Sequence, residues 1–174
     1  MPHRKAAKKP LKARPEHDLR RAYEHLGRID ILEGALAGSP FRDVSTLAAL
    51  AEQSLSEDRA RDAADLLLAA EHISFAALAP HQTADTARLA PDLKAAIVAE
   101  FHGLLQRADD HWPEDDSAQP AIAALYASLR EQARSAFTDG SYRPALELAR
   151  AAEALAQIGD RLAGSLEPEQ RLAS

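Results

Sequence analysis

After residue 14, apolar residues recur at three- and four-residue steps along nearly the whole chain. No stretch alternates β-branched and polar residues, so the pattern predicts helices and no strands. Pro15 opens a first helix with the stripe Leu19, Tyr23, Leu26, Ile29, Leu32 and Leu36, and "AGSP" ends it. A second helix starts at Pro40 or Asp43 and runs to about Leu55. "SEDR" separates it from a third, in which Ala60, Ala63, Leu67, Ala70 and Ile73 share a face and which Pro80 closes.

Beyond the loop "PHQTADTA", a fourth helix is expected from around Pro91 to Ala108, with Pro at its first position and Asp92 beside its positive end. Its stripe is Leu93, Ile97, Phe101, Leu104 and Leu105. "DDHWPEDDSAQP" reads as an acidic loop whose tryptophan docks on the bundle. A fifth helix spans about Pro120 to Phe137, and "TDGS" is a turn in which Gly140 supplies a positive φ. The sixth covers about Tyr142 to Ile158, after which "GD" and a short final turn lead into a polar tail. Helices this short are stabilised chiefly by packing their apolar faces. The expected fold is therefore all-α, an irregular bundle of about six helices, with a single domain over 15–165, a disordered basic arm over 1–14 and a flexible tail over 166–174.

The chain repeats itself at a spacing of 82 residues. Leu47, Ala51, Arg61, Ala63, Leu66, Ala69, Ala70 and Glu71 fall on Leu129, Ala133, Arg143, Ala145, Leu148, Ala151, Ala152 and Glu153 without a gap. Leu55 falls on Phe137 and Ile73 on Leu155. Both copies place a helix, a short polar turn and a second helix with small residues on one side. Alanine at a crossing lets two helices approach closely. Four of the eight identities are alanine, which an alanine-rich chain also yields by chance. The matched large apolar positions and the matched turn do not have that origin.

Through Leu129, Ala133, Gly140, Tyr142, Ala145, Ala149 and Ala152 the second copy resembles a single tetratricopeptide repeat. The first copy follows the same pattern at Leu47, Leu50, Ala51, Ala60, Ala63, Leu67 and Ala70 but lacks the turn glycine. Together they cover about 60 residues, at a spacing unlike the roughly 34 residues of that family, and the intervening helix carries no such signature. The resemblance implies a non-enzymatic scaffold with a concave surface for a peptide or partner helix. Its groove positions in the second copy are Ala127, Arg130, Arg134 and Phe137. Arg130 and Arg134, four apart on one face, would either clamp a carboxylate or form a solvated edge paired with Glu131 or Glu153.

Charge adds a second candidate. Arg4, Lys5, Lys8, Lys9, Lys12 and Arg14 give the first 14 residues +6, and the remaining 27 acids and 15 bases give the body −12. Such an arm suits nucleic acid, anionic lipid or an acidic partner, or simply solubilises. It has no aromatic residue on which bases could stack. There is no cysteine, so no disulfide, thiolate metal site or cysteine nucleophile is available. No apolar run approaches the roughly 18 residues of a membrane span, and the N-terminus lacks an apolar signal region. A cytoplasmic protein is expected, and arginine and alanine usage suggests a GC-rich bacterial source.

One stretch carries possible chemistry. In "RRAYEH", Arg20 precedes His25 at a spacing that resembles the R-x4-6-H motif of the HEPN ribonucleases, small helical bundles in which arginine binds phosphate. On a helix Arg20 and His25 do not share a face, whereas Arg21 and His25 do, and the expectation for His25 is a surface or half-buried position. His102, Asp109, Asp110 and His111 lack metal-ligand spacing, and no phosphate loop, nucleophile elbow or dinucleotide fingerprint is present. No cofactor and no metal are expected.

Overall fold

The computed structural model describes residues 15–79, 89–113 and 120–170. They form six α-helices and no strand: α1 (Pro15–Glu33), α2 (Gly38–Ser56), α3 (Ala60–Leu78), α4 (Pro91–His111), α5 (Pro120–Thr138) and α6 (Tyr142–Gln170). The fold is an all-helical bundle. No helix among the described residues is long and apolar enough to cross a membrane. The basic arm, with Arg4, Lys5, Lys8, Lys9, Lys12 and Arg14, lies outside the described residues, as do the "PHQTADTA" loop and residues 171–174.

The helices fall into two halves, α1–α3 and α4–α6. In each half the last helix lies between the other two: α3 packs against α1 and α2, and α6 against α4 and α5. The halves meet through α3 and α6. Arg161 reaches Asp62 and Asp65 while His72 reaches Glu147, so α3 and α6 cross antiparallel. That register centres the crossing on the Ala69–Ala70 and Ala151–Ala152 steps, all four fully buried. Their missing side-chain volume is what allows the two central helices to close together.

The 82-residue correspondence holds in three dimensions. α2 and α5 have the same 19-residue length and start and end 82 positions apart. The turns that follow them carry the same backbone bonds: Arg59 N to Ser54 O and Ser141 N to Ala136 O are both 2.8 Å. Asp58 (φ 58°) stands where Gly140 (φ 77°) does, so an aspartate fills the left-handed position for which the second copy uses glycine.

The first helices correspond too, although the sequence shows no signature there. His25 of α1 bonds Glu71, and the residue 82 positions on, Arg107 of α4, bonds Glu153. The repeated unit is therefore three helices, and the third member is identified by the partner of a buried or half-buried glutamate. The glutamate of each "AAE" holds its outer helix against the central one. Different residues, a histidine and an arginine, fill the slot, so residue identity hides the match.

Three local expectations change. The buried side of α1 is Ala22, His25 and Ile29, while Leu19 and Tyr23 of the expected stripe are 41% and 60% exposed. The helix is rotated so that Arg21, His25 and Arg28 reach the carboxylates of Asp65 and Glu71 on α3. Leu36 lies in the connection after α1. Finally, α6 does not stop at "GD" but continues to Gln170. Gly159 is a seat rather than a stop: a Cβ there would lie 3.2 Å from Pro113 and 3.3 Å from the ring of Trp112. Trp112 also stacks on Tyr126 with the rings 3.9 Å apart, so the tryptophan docks on the bundle as expected.

Candidate functional site

Because α3 and α6 cross antiparallel with α2 and α5 on one side of them, two clefts lie between α2 and α5, one at each end. They are lined by corresponding residues. At one end are Leu50, Gln53, Ser54, Arg59, Asp62, Leu66, Ile122 and Ile158, enclosing only about 10 Å³. Their counterparts, Gln132, Ser135, Ala136, Ser141, Pro144, Leu148, Pro40 and Ala76, all line the other cleft, which holds about 600 Å³.

The difference lies in side-chain size and charge. The closed cleft is plugged by its own ions. Arg161 bonds Asp62 and Asp65 at 2.8 Å each, and Arg59 bonds Asp62 at 3.2 Å as well as Glu57. In the open cleft the positions of Arg59 and Arg161 are Ser141 and Ala79, and those of Ile122 and Ile158 are Pro40 and Ala76. The plug is absent because its residues are replaced by small ones. What remains is an apolar floor of Ile73, Ala76, Leu129, Ala136 and Leu148, with Gln132 and Ser135 at the side. Leu78 on its lining is 40% exposed.

Two carboxylates line the open cleft, Asp43 and Asp139, and among the described residues no lysine, arginine or histidine does. Neither carboxylate is held by a hydrogen bond or ion pair among the described residues. Burial pushes the Asp43 carboxyl above the ordinary carboxylate value, against the opposing pull of Arg42. A raised value means that the protonated form favours folding below the ordinary carboxylate range, and that this contribution disappears as pH rises through the raised value. Asp43→Asn is therefore expected to raise the thermal midpoint at neutral pH and to leave it unchanged near pH 3 or below. Thermal scans across that range check both halves of the expectation.

The groove expected on α5 forms only in part. Arg134 and Phe137 share a shallow depression of about 470 Å³ with Phe101, His102 and Gln106, where Phe101 and Phe137 stack at 4.1 Å. Ala127 is exposed outside it. Arg130 is no free clamp: it pairs with Asp109 of α4 and lies over the Tyr126 ring, 5.4 Å from its centroid. Neither expected partner is used, since Asp109 takes Arg130 and Glu153 takes Arg107. Tyr126 also donates to Asp109 at 3.1 Å, and burial pushes its hydroxyl above the ordinary tyrosine value. This corner ties α4 to α5.

The "RRAYEH" residues do not converge. Arg20 bonds Glu24 on the exposed side of α1, Arg21 turns to Asp65, and His25 is buried against Glu71. His25 is thus an interior histidine, not a surface or half-buried one, because its helix turns that face toward α3. Among the described residues no group of three or more metal-ligating side chains comes together.

No family model, curated protein or solved structure significantly matches the chain. What can be said of function rests on the two clefts. Sequence reasoning missed the open one because it compared the copies for what they share. The signal was in what they do not share, Arg59 against Ser141 and Asp62 against Pro144.

Proposed function

We propose that this chain is a non-enzymatic interaction protein that holds a segment of a partner protein in the open cleft between α2 and α5. The observation that carries the reading is the inequality of the two clefts. One bundle builds the same recess twice, fills one with its own side chains, and leaves about 600 Å³ open over an apolar floor in the other. A water-exposed apolar recess of that size is costly to maintain and is the usual form of a binding site. The tetratricopeptide-like pattern of α5 and α6 supports the same class of activity, with the contact surface on α5 shifted from the Arg130 face to the Gln132–Ala136 face.

A photo-crosslinking residue placed at Ser135 is expected to give covalent adducts with a partner in cells of the native host, and Ala136→Trp, which fills the cleft, is expected to abolish them. The same residue at Ala127, outside the cleft on the same helix, is expected to give none. Adducts from position 127 alone would move the contact to the α4–α5 face and overturn the assignment.

A further inference from the structure

Resting on that reading, we infer that the open cleft selects a partner segment carrying a lysine or arginine beside apolar side chains, with Asp43 and Asp139 receiving the cation. Charge complementarity carries the argument, and the closed cleft supplies the comparison. There Glu57 binds Arg59, and Asp62 and Asp65 bind Arg161. In the open cleft the acid corresponding to Glu57 is retained as Asp139, while the arginine that would neutralise it is replaced by Ser141. Asp43 adds a second carboxylate, partly buried on the same lining, and Arg161 has no counterpart but Ala79.

The result is a recess with an apolar floor and two carboxylates held by no hydrogen bond or ion pair among the described residues, none of which brings a cation to its lining. Asp43, half-buried in such surroundings, gains more from an incoming ammonium or guanidinium than a carboxylate in open water does, because the medium screens less. Asp139 stands exposed on the same lining and adds its charge. Arginine suits the site by the same charge-assisted bonds that close the other end. Acidic segments and nucleic acid would meet repulsion from the lining and from a body of strongly negative net charge. The occupant is therefore a basic, apolar-flanked protein segment.

Three probes with one apolar body separate the terms: phenylbutylamine, phenylbutanol and phenylbutyrate, titrated into the full-length protein and followed by backbone amide shifts. The amine is expected to shift the amides of Ile73, Ala76, Leu129 and Ser141 and to bind about fivefold more tightly than the alcohol, with the acid weakest. Asp43→Asn with Asp139→Asn is expected to remove that preference. Glu52→Gln with Glu131→Gln, which removes two exposed charges from α2 and α5 outside the cleft, is expected to leave it in place. Equal binding of the three probes, or an amine preference that survives the two asparagines, would overturn the cation inference while the cleft stands. Absence of shifts at these amides with every probe would overturn the cleft reading together with it.

Discussion

Ala152→Leu is expected to destabilise the protein by about 3 kcal/mol, the upper part of the range for inserting methylenes into a closed core. Ala152 is fully buried and lies at the centre of the α3–α6 crossing, where Ala70 is its counterpart. A leucine there cannot be accommodated by a rotamer change alone, because both helices meet through small side chains over the same step. The halves would have to separate, loosening the contact on which the bundle depends. Ala127→Leu, on the exposed face of α5, is expected to change stability by less than about 0.5 kcal/mol. Urea unfolding reads the contrast as a lowered midpoint at an unchanged slope for the first variant and no shift for the second. Equal midpoints would mean that α3 and α6 do not meet through these alanines.

The second large effect is expected from an asymmetry between equivalent glutamates. Glu71→Ala should cost about 3 kcal/mol and Glu153→Ala less than about 1 kcal/mol, although the two occupy the same slot. The side chains of Glu71 and His25 are 6% and 11% exposed, so removing the carboxylate strands a buried imidazole. Arg107, the partner of Glu153, is 48% exposed and can turn to water. Glu71→Leu combined with His25→Leu is expected to recover most of the loss, because no buried partner is then left unpaired and the exposed Arg28, which also bonds Glu71, turns to water. Chemical unfolding of the single and double variants measures the difference. Similar costs for the two alanine variants would show that burial does not govern this slot.

These effects locate what could be read along the chain. Pro15, Pro91, Pro120 and Gly140 mark helix ends locally, and the helices start or turn where those residues stand. Gly159 misled for a reason that local rules do not contain: its lost Cβ makes room for Trp112, which is distant in sequence. The α1 stripe misled in the same way. Leu19 and Tyr23 satisfy helical spacing as well as Ala22 and Ile29 do, and only Asp65 and Glu71 on the facing helix decide between them.

Helical periodicity, helix ends and the alanine-rich strips are properties of residues a few positions apart, and the chain encodes them without reference to its fold. The repeat at 82 residues belongs with them, since it compares a chain with itself. The facing of α1, the equivalence of α4 to α1, the neutralisation of Arg130 by Asp109, and the opening of one α2–α5 cleft and closing of the other belong to the tertiary structure. Each depends on a charge or a side-chain volume brought from another helix. Arg161 shows the limit most plainly: 99 residues separate it from Asp62, and only the antiparallel crossing of α3 and α6 brings it to that carboxylate on the lining of the closed cleft. The same crossing leaves Ala79 at the other end, where no described side chain reaches across and the cleft stays open.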